Sequence, residues 1–107
     1  MLGGVAIVTV SGELDLAVCI KLAPELNAAL RSAARAIVVD LEAISLVDSS
    51  GLALLLNAFR RLDHTGRKFA IACPLGSPRR AFELTALDRQ LPMYETRRDA
   101  LAAVGAS

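Results

Sequence analysis

The chain has 107 residues, of which 54% are hydrophobic and 21% charged, and its formal net charge at pH 7 is +1. This length and composition exclude a disordered chain and predict one domain, residues 1–107, with a core of its own. Because the charges are balanced and no basic run is interleaved with aromatic residues, we expect no nucleic-acid partner.

No segment of the chain predicts secretion or membrane insertion. No stretch of about 18 residues is free of charge, and the first residues lack a basic segment followed by a long apolar one. Cys19 and Cys73 are too far apart for a metal knuckle, and their apolar surroundings indicate buried thiols. We therefore expect a cytoplasmic protein with no metal, no cofactor and no membrane partner.

The chain opens with a strand pattern, because residues 4–10 are rich in Val and Ile. Ser11-Gly12 then predicts a turn, and residues 13–16 predict a short second strand.

A helical pattern follows over residues 17–34, and its apolar positions on one side are Cys19, Leu22, Leu26, Ala29 or Leu30, and Ala33. A proline inside a helix removes a backbone hydrogen bond and clashes with the preceding turn. We therefore expect Pro24 to lie in the first turns, so that the regular helix begins near Ala23.

The middle of the chain predicts a central strand and a long helix. Residues 36–41 form a near-continuous apolar run, as expected of a parallel strand that is covered on both faces. The leucine-rich helix that follows Asp48 ends at Gly66, a residue suited to terminating a helix.

The last third of the chain predicts a strand, a helix, a short strand and a terminal helix at residues 68–73, 77–87, 90–95 and 98–104. Ser77 is expected to cap its helix, with Pro78 as the first helical residue. Strands that alternate with helices through short connections predict an α/β fold. We expect an open, mostly parallel (mixed) sheet of four to five strands with helices in βαβ order.

The most informative segment is Asp48-Ser49-Ser50-Gly51, where a strand leads into the long helix. A helix N-terminus carries free N–H groups and the positive end of the helix dipole, both of which favour an anion such as a phosphate. The same residues are also ordinary helix caps. The pattern alone leaves a capping role and a regulatory role for these hydroxyls open.

Helical spacing predicts which serine is accessible. The core-facing stripe consists of Leu52, Leu55, Leu56, Phe59 and Leu62. Ser50, Leu54, Asn57 and Arg61 form a second stripe on the opposite side, whereas Ser49 lies nearer the buried face. Ser50 is therefore predicted to be the outward hydroxyl, with Leu54 as an apolar neighbour that the core does not need.

Enzyme chemistry is not predicted. The single histidine, His64, lies fourteen residues beyond Ser50 on the same helix, about 21 Å away, too far to act as its base. The chain has no G-x-S-x-G elbow, no phosphate-binding loop and no cluster of metal ligands. Asp15, Asp40 and Asp48 could converge on Mg²⁺ at the strand ends, but structural or capping roles are the favoured interpretation.

Four segments of the chain resemble, in their order and spacing, the STAS domain of bacterial anti-sigma factor antagonists. These segments are residues 12–17, 37–41, 47–53 and 80–87. The combination of Gly-Glu-Leu-Asp with a later Asp-Ser-Ser-Gly-Leu is specific to that family. The resemblance covers nearly the whole chain. At the position of Val18 the family commonly has Thr, Ser or Asn, so the segment that faces the partner is more apolar here.

The resemblance implies a partner switch. An unphosphorylated antagonist binds an anti-sigma serine kinase of the GHKL type and frees a sigma factor, phosphorylation breaks the complex, and a PP2C-type phosphatase resets it. The implied phosphoacceptor is Ser50, and Asp15 and Asp48 match family positions near the kinase contact. The predicted partner-binding residues are Asp15, Asp48, Ser49, Ser50, Gly51, Leu54 and Asn57.

Two other functions remain open at this point. A non-catalytic STAS scaffold or accessory subunit, of a stressosome-like or transport complex, would be stably multimeric. The switch protein is instead expected to be a monomer or weak dimer. A small-ligand module ranks last, because the chain has no phosphate loop.

Overall fold

The computed structural model describes residues 4–105, in which four parallel strands form one sheet. In both chain order and sheet order the strands are β1 (Val5–Leu14), β2 (Ala36–Val47), β3 (Lys68–Ala72) and β4 (Met93–Tyr94). The helices are α1 (Leu16–Arg31), α2 (Ser49–Asp63), α3 (Ser77–Leu84) and α4 (Arg97–Ala103), and a 3-10 turn covers Leu87–Arg89. The predicted α/β fold with strands and helices in alternation is confirmed.

The sheet is covered on both faces. Successive residues of a strand point to opposite faces, so Ile37 and Val39 pack with residues of α1, α2 and α3, whereas Val38 packs with Ala100 and Val104 near α4. This double burial explains the near-continuous apolar run at the start of β2. The strand itself was predicted to end at residue 41 but extends to Val47, and its second half contains exposed positions.

The predicted turn at Ser11-Gly12 is wrong, because β1 is one strand that pairs with β2 along its length. The pairing register shifts between Thr9 and Ser11 and again between Gly12 and Glu13. Gly12 has a φ of 82°, which a glycine adopts at little cost. The glycine therefore accommodates an irregularity within the strand, and the chain does not reverse. The predicted second strand is the end of β1.

The predicted start of the first helix near Ala23 is also wrong, because α1 begins at Leu16 and contains Pro24 in its interior. A proline removes the N–H that would bond the carbonyl four residues earlier, here that of Ile20. Pro24 and Ile20 both lie on the solvent side of the helix, where water can bond the freed carbonyl. The predicted core residues Cys19, Leu22 and Leu26 are buried.

Two further helix ends differ from their predictions. α2 ends at Asp63, and Gly66, with a φ of 73°, lies beyond the capping residue. Ser77 does not cap α3; Gly76 occupies the capping position and makes no side-chain cap. α3 ends at Leu84, where the chain turns into the 3-10 segment, whereas residue 87 was predicted.

The last strand is shorter than the predicted segment 90–95, because only Met93–Tyr94 pairs with β3 in regular register. Pro92 has no N–H to donate to a ladder, although its carbonyl accepts a hydrogen bond from the backbone N–H of Ile71, at 2.9 Å. α4 begins at Arg97, one residue earlier than predicted.

Candidate functional site

The N-terminus of α2 is capped by Asp48. Its Oδ1 accepts hydrogen bonds from the backbone N–H groups of Ser50, at 2.9 Å, and Gly51, at 3.2 Å. These donors were expected to be free for an anion, but the Asp48 carboxylate already occupies them. The predicted capping role is therefore real, and a phosphate on Ser50 would add charge beside an existing carboxylate.

The N-terminus of α1 lies beside that of α2. Asp15 caps α1, with its Oδ1 3.0 Å from the backbone nitrogen of Val18. The backbone N–H of Asp48 donates to the carbonyl of Leu14, at 3.2 Å, which joins the end of β1 to the start of α2. The two carboxylates predicted for the site thus belong to the caps of neighbouring helices.

Gly51 allows this close approach. A Cβ atom at position 51 would lie 2.7 Å from Cγ of Leu14 and 3.0 Å from the Leu14 carbonyl oxygen. Both distances are shorter than ordinary van der Waals contact. The glycine of the motif is therefore required by packing between α2 and the end of β1.

The two serines differ from the predicted exposure. Ser49 is exposed and Ser50 is half-buried, whereas helical spacing predicted Ser50 as the more outward hydroxyl. The reason is that the second stripe of α2 faces its neighbour α1: Arg61 on that stripe donates to the side-chain oxygen of Asn27 on α1, at 2.8 Å. Ser50 lies on this inter-helix side, and the residue as a whole is still partly accessible.

The other two predicted contact residues of α2 have different environments. Asn57 is exposed. Leu54 is half-buried and packs against the hydrophobic core, so the prediction that the core does not need it is wrong. The partly exposed surface of Leu54 lies on the same stripe as Ser50.

Cys19 lies beneath the two caps and is buried, as predicted. Burial raises the pKa of its thiol above the ordinary value, and the nearby carboxylates of Asp48 and Asp15 raise it further. Burial also raises the pKa of the Cys73 thiol, although the Arg79 guanidinium opposes that effect. Both thiols are therefore neutral at physiological pH and are poor nucleophiles.

Asp40 does not join Asp15 and Asp48, so the three carboxylates do not converge on one metal site. Asp40 is 6% exposed, and its Oδ2 lies 3.6 Å from a guanidinium nitrogen of Arg97 at the start of α4, which covers the other face of the sheet. Within residues 4–105 no three His, Cys, Asp or Glu side chains are placed to hold a metal ion.

His64 lies at the far end of α2, where it occupies the C-terminal capping position. It is therefore a whole helix away from Ser50, as the sequence predicted, and cannot act as its base. In the part of the chain that the structure describes, no helix is both long and apolar enough to cross a membrane.

Two residues of this surface were not predicted from the sequence. Leu16 and Ile20 on α1 are 59% and 66% exposed, which is unusual for large apolar side chains. Their spacing of four residues was a detectable signal, because it places both on one side of a helix that already has a separate buried stripe.

The family model described as STAS domain matches residues 2–100, and the chain belongs to this family. The chain is 30% identical over 100 residues to the anti-sigma F factor antagonist of Paenibacillus polymyxa. The aligned region covers 92% of this chain and 85% of that protein. It is 29% identical over 101 residues to the anti-sigma-F factor antagonist RsfB of Mycobacterium tuberculosis, with 94% and 82% covered.

A similar solved structure is the crystal structure of an anti-sigma factor antagonist from Mycobacterium paratuberculosis. It has a TM-score of 0.91 and 34% sequence identity, over 97% of this chain and 88% of that one. The fold and the sequence therefore both resemble those of anti-sigma factor antagonists.

Proposed function

We propose that this protein is a non-enzymatic anti-sigma factor antagonist, a single domain of residues 1–107 that acts in the cytoplasm by partner switching. Its unphosphorylated form, a monomer or weak dimer, binds an anti-sigma serine kinase of the GHKL type. Binding displaces the sigma factor from that kinase. Phosphorylation of Ser50 ends the complex, and a PP2C-type phosphatase restores the binding form.

The phosphorylation step uses the Ser50 hydroxyl as the nucleophile. Its Oγ attacks the γ-phosphorus of ATP held by the kinase, the bond from that phosphorus to ADP breaks, and the hydroxyl proton leaves to the kinase or to water. The phosphatase hydrolyses the phosphoserine, which releases inorganic phosphate and restores the hydroxyl. This chain supplies only the acceptor, because its one histidine lies at the other end of α2.

The observation that carries the proposal is the partly accessible Ser50 in the first turn of α2, beside the Asp48 cap. The similarity to named anti-sigma factor antagonists over nearly the whole chain supports it. A phosphate adds about −1.5 to −2 charges. Because Asp48 holds the nearby N–H groups, these donors do not neutralise the phosphate, and a bound partner would face its charge.

The test is a binding assay with purified GHKL-type anti-sigma kinases from the source organism. The wild-type chain should bind one of them and release its sigma factor, and incubation with ATP should abolish binding. Ser50→Ala should stay bound in ATP, and Ser50→Asp should not bind. Ser49→Ala is the matched control for the identity of the phosphoacceptor, and ATP should still abolish whatever binding this variant shows.

Two results would overturn the proposal. One is that no such kinase binds the wild-type chain. The other is that Ser50→Asp binds as tightly as the wild type. A stable assembly of many copies, measured by light scattering, would instead favour the scaffold function.

A further inference from the structure

The sheet has a gap at its β4 edge. β3 has five residues, but β4 pairs in regular register only with the last two, Ile71 and Ala72. Within the described part of the chain, residues 68–70 therefore have a neighbouring strand on one side only, which is β2. The same register would place the nitrogen of Pro92 opposite the carbonyl of Phe69. Because a proline has no N–H to donate, β4 cannot extend into the gap.

The backbone N–H and C=O of Phe69 are directed into this gap. Along a parallel strand, the backbone groups of alternate residues bond to opposite neighbours. The N–H of Lys68 donates to the carbonyl of Arg35 on the β2 side, at 3.4 Å. The N–H of Ile71 donates to the carbonyl of Pro92 on the β4 side, at 2.9 Å. Phe69 therefore faces the β4 side, where its N–H and C=O have no hydrogen-bond partner among residues 4–105.

A cavity of about 320 Å³ lies at this gap. Phe59 of α2 lines it from one face of the sheet, and Tyr94 and Val104 line it from the other. The rings of Phe59 and Phe69 lie beside each other, with their centroids 6.0 Å apart. At about 3.3 Å per residue, the open edge of β3 has room for about three residues of an added strand.

The charges around the cavity differ between its two faces. Lys68 precedes Ala70 by two residues and therefore lies on the same face of the sheet, the one that α4 covers. It is exposed and makes no salt bridge within the described residues. Asp63 lines the cavity from α2, on the other face. An occupant with carboxylates on the α4 face and apolar groups on the α2 face would match this arrangement.

We propose that the gap binds an extended acidic segment of another polypeptide, which adds to the edge of β3 as a short strand. The backbone of the segment bonds to the N–H and C=O of Phe69, as in other cases of β-strand addition. Its side chains alternate between the two faces, so that apolar groups contact Phe59 and carboxylates approach Lys68. The gap lies at the end of α2 opposite to Ser50, so this inference does not depend on the proposed switch.

The experiment is an NMR titration of the full chain with a five-residue peptide of alternating valine and glutamate, blocked at both ends. The amide N–H signal of Phe69 should move to lower field and saturate, and its hydrogen exchange should slow, because a new hydrogen bond forms there. The fluorescence of Tyr94 should change in parallel, since the chain has one tyrosine and no tryptophan.

Two control peptides separate the parts of the interaction. A peptide with lysine in place of glutamate should bind more weakly, because its charges repel Lys68. A valine–glutamate peptide with methylated backbone nitrogens keeps its side chains but cannot donate hydrogen bonds to the carbonyl of Phe69. It should produce no saturable shift.

A matched pair of variants tests the charge. Lys68→Glu should weaken binding of the acidic peptide by about threefold or more. Lys21→Glu is the control, because it changes the only other lysine, which is exposed on α1, by the same charge. It should bind as the wild type. Unchanged amide signals away from the substituted residue establish that each variant is folded.

Several results would overturn the inference. One is the absence of a saturable shift at Phe69, and another is equal binding of the methylated peptide. Equal binding of the lysine peptide, or equal loss in both lysine variants, would exclude the preference for an acidic segment. A shift at Phe69 on raising the protein concentration alone would show that a second copy fills the gap. No kinase is present in these measurements, so their failure leaves the proposed switch untouched.

Discussion

Gly51 is the position in the site where side-chain size is most restricted. Replacement by alanine gains up to about 1 kcal/mol of helix propensity. However, the new Cβ would lie 2.7 Å from Cγ of Leu14, and overpacking of this kind costs about 1–3 kcal/mol. We expect Gly51→Ala to lower the free energy of unfolding by about 1 kcal/mol or more, measured by urea denaturation.

A double-mutant cycle provides the control for this prediction. In Leu14→Ala, most of the side chain that obstructs position 51 is removed, so Gly51→Ala should then cost less than in the wild type. A Gly51→Ala variant at least as stable as the wild type would show that α2 can shift away from the end of β1 without penalty.

The buried thiols predict a loss of stability at alkaline pH. Burial raises the pKa of Cys19 and Cys73 above their ordinary value of 9.0 in the folded state. The unfolded thiols therefore ionise first, so the stabilisation is complete below about pH 9 and is lost as pH rises through the folded pKa values. The free energy of unfolding should fall over this range, measured by urea denaturation at a series of pH values.

The matched control is the Cys19→Ala, Cys73→Ala double variant. Its stability should fall less steeply above pH 9 than that of the wild type. Identical pH profiles for the two proteins would mean that the thiols do not contribute to the alkaline loss of stability.

At the scale of elements, Arg67 fixes the C-terminal end of α1 to the loop before β3. Its guanidinium donates to the carbonyls of Leu30, Ser32 and Ala34. Hydrogen bonds from a charged donor contribute about 1.5–3 kcal/mol each, and those made by one group are not additive. We expect Arg67→Ala to lower the free energy of unfolding by about 2–3 kcal/mol.

Arg67→Lys is the informative comparison. An ammonium group keeps the charge but lacks the planar fork that reaches several carbonyls at once. Lysine should therefore restore less than half of the lost stability in the same denaturation assay. Full recovery with lysine would contradict the account and would mean that charge at the helix end is sufficient.

Most elements could be predicted from the sequence, because apolar periodicity reports which side of an element is buried. The strand at Ala36 and the helix after Asp48 were placed in this way. The continuity of β1 through Gly12 and the interior position of Pro24 could not be predicted. Both depend on whether neighbouring strands or solvent supply hydrogen bonds that the local sequence does not reveal.

The chemistry of the candidate site was also easier to predict than its geometry. Asp48 and Ser50 were identified from the motif, and the structure places them together in the first turn of α2. The relative exposure of Ser49 and Ser50 was predicted wrongly, because helical spacing identifies the core side but not the direction of a neighbouring helix. Leu16 was missed because residues 13–16 were predicted to be a strand, whereas α1 begins at Leu16.

At the scale of the whole molecule, the parallel sheet brings the caps of α1 and α2 to one edge, so a charge change there acts on a surface and not on the core. We expect Ser50→Asp to keep the wild-type fold, with a free energy of unfolding lowered by less than about 1 kcal/mol by repulsion from Asp48. Amide NMR spectra should change near the start of α2 and little elsewhere. Widespread shifts would indicate release through a conformational change.

Phosphosite mapping by mass spectrometry tests the proposed switch most directly. The protein is isolated from its own cells, under growth and under stress. We expect phosphate on Ser50 and none on Ser49, at a level that differs between the two conditions. An unmodified Ser50 under both conditions, or phosphate on Ser49 alone, would contradict it and leave these serines as parts of a helix terminus.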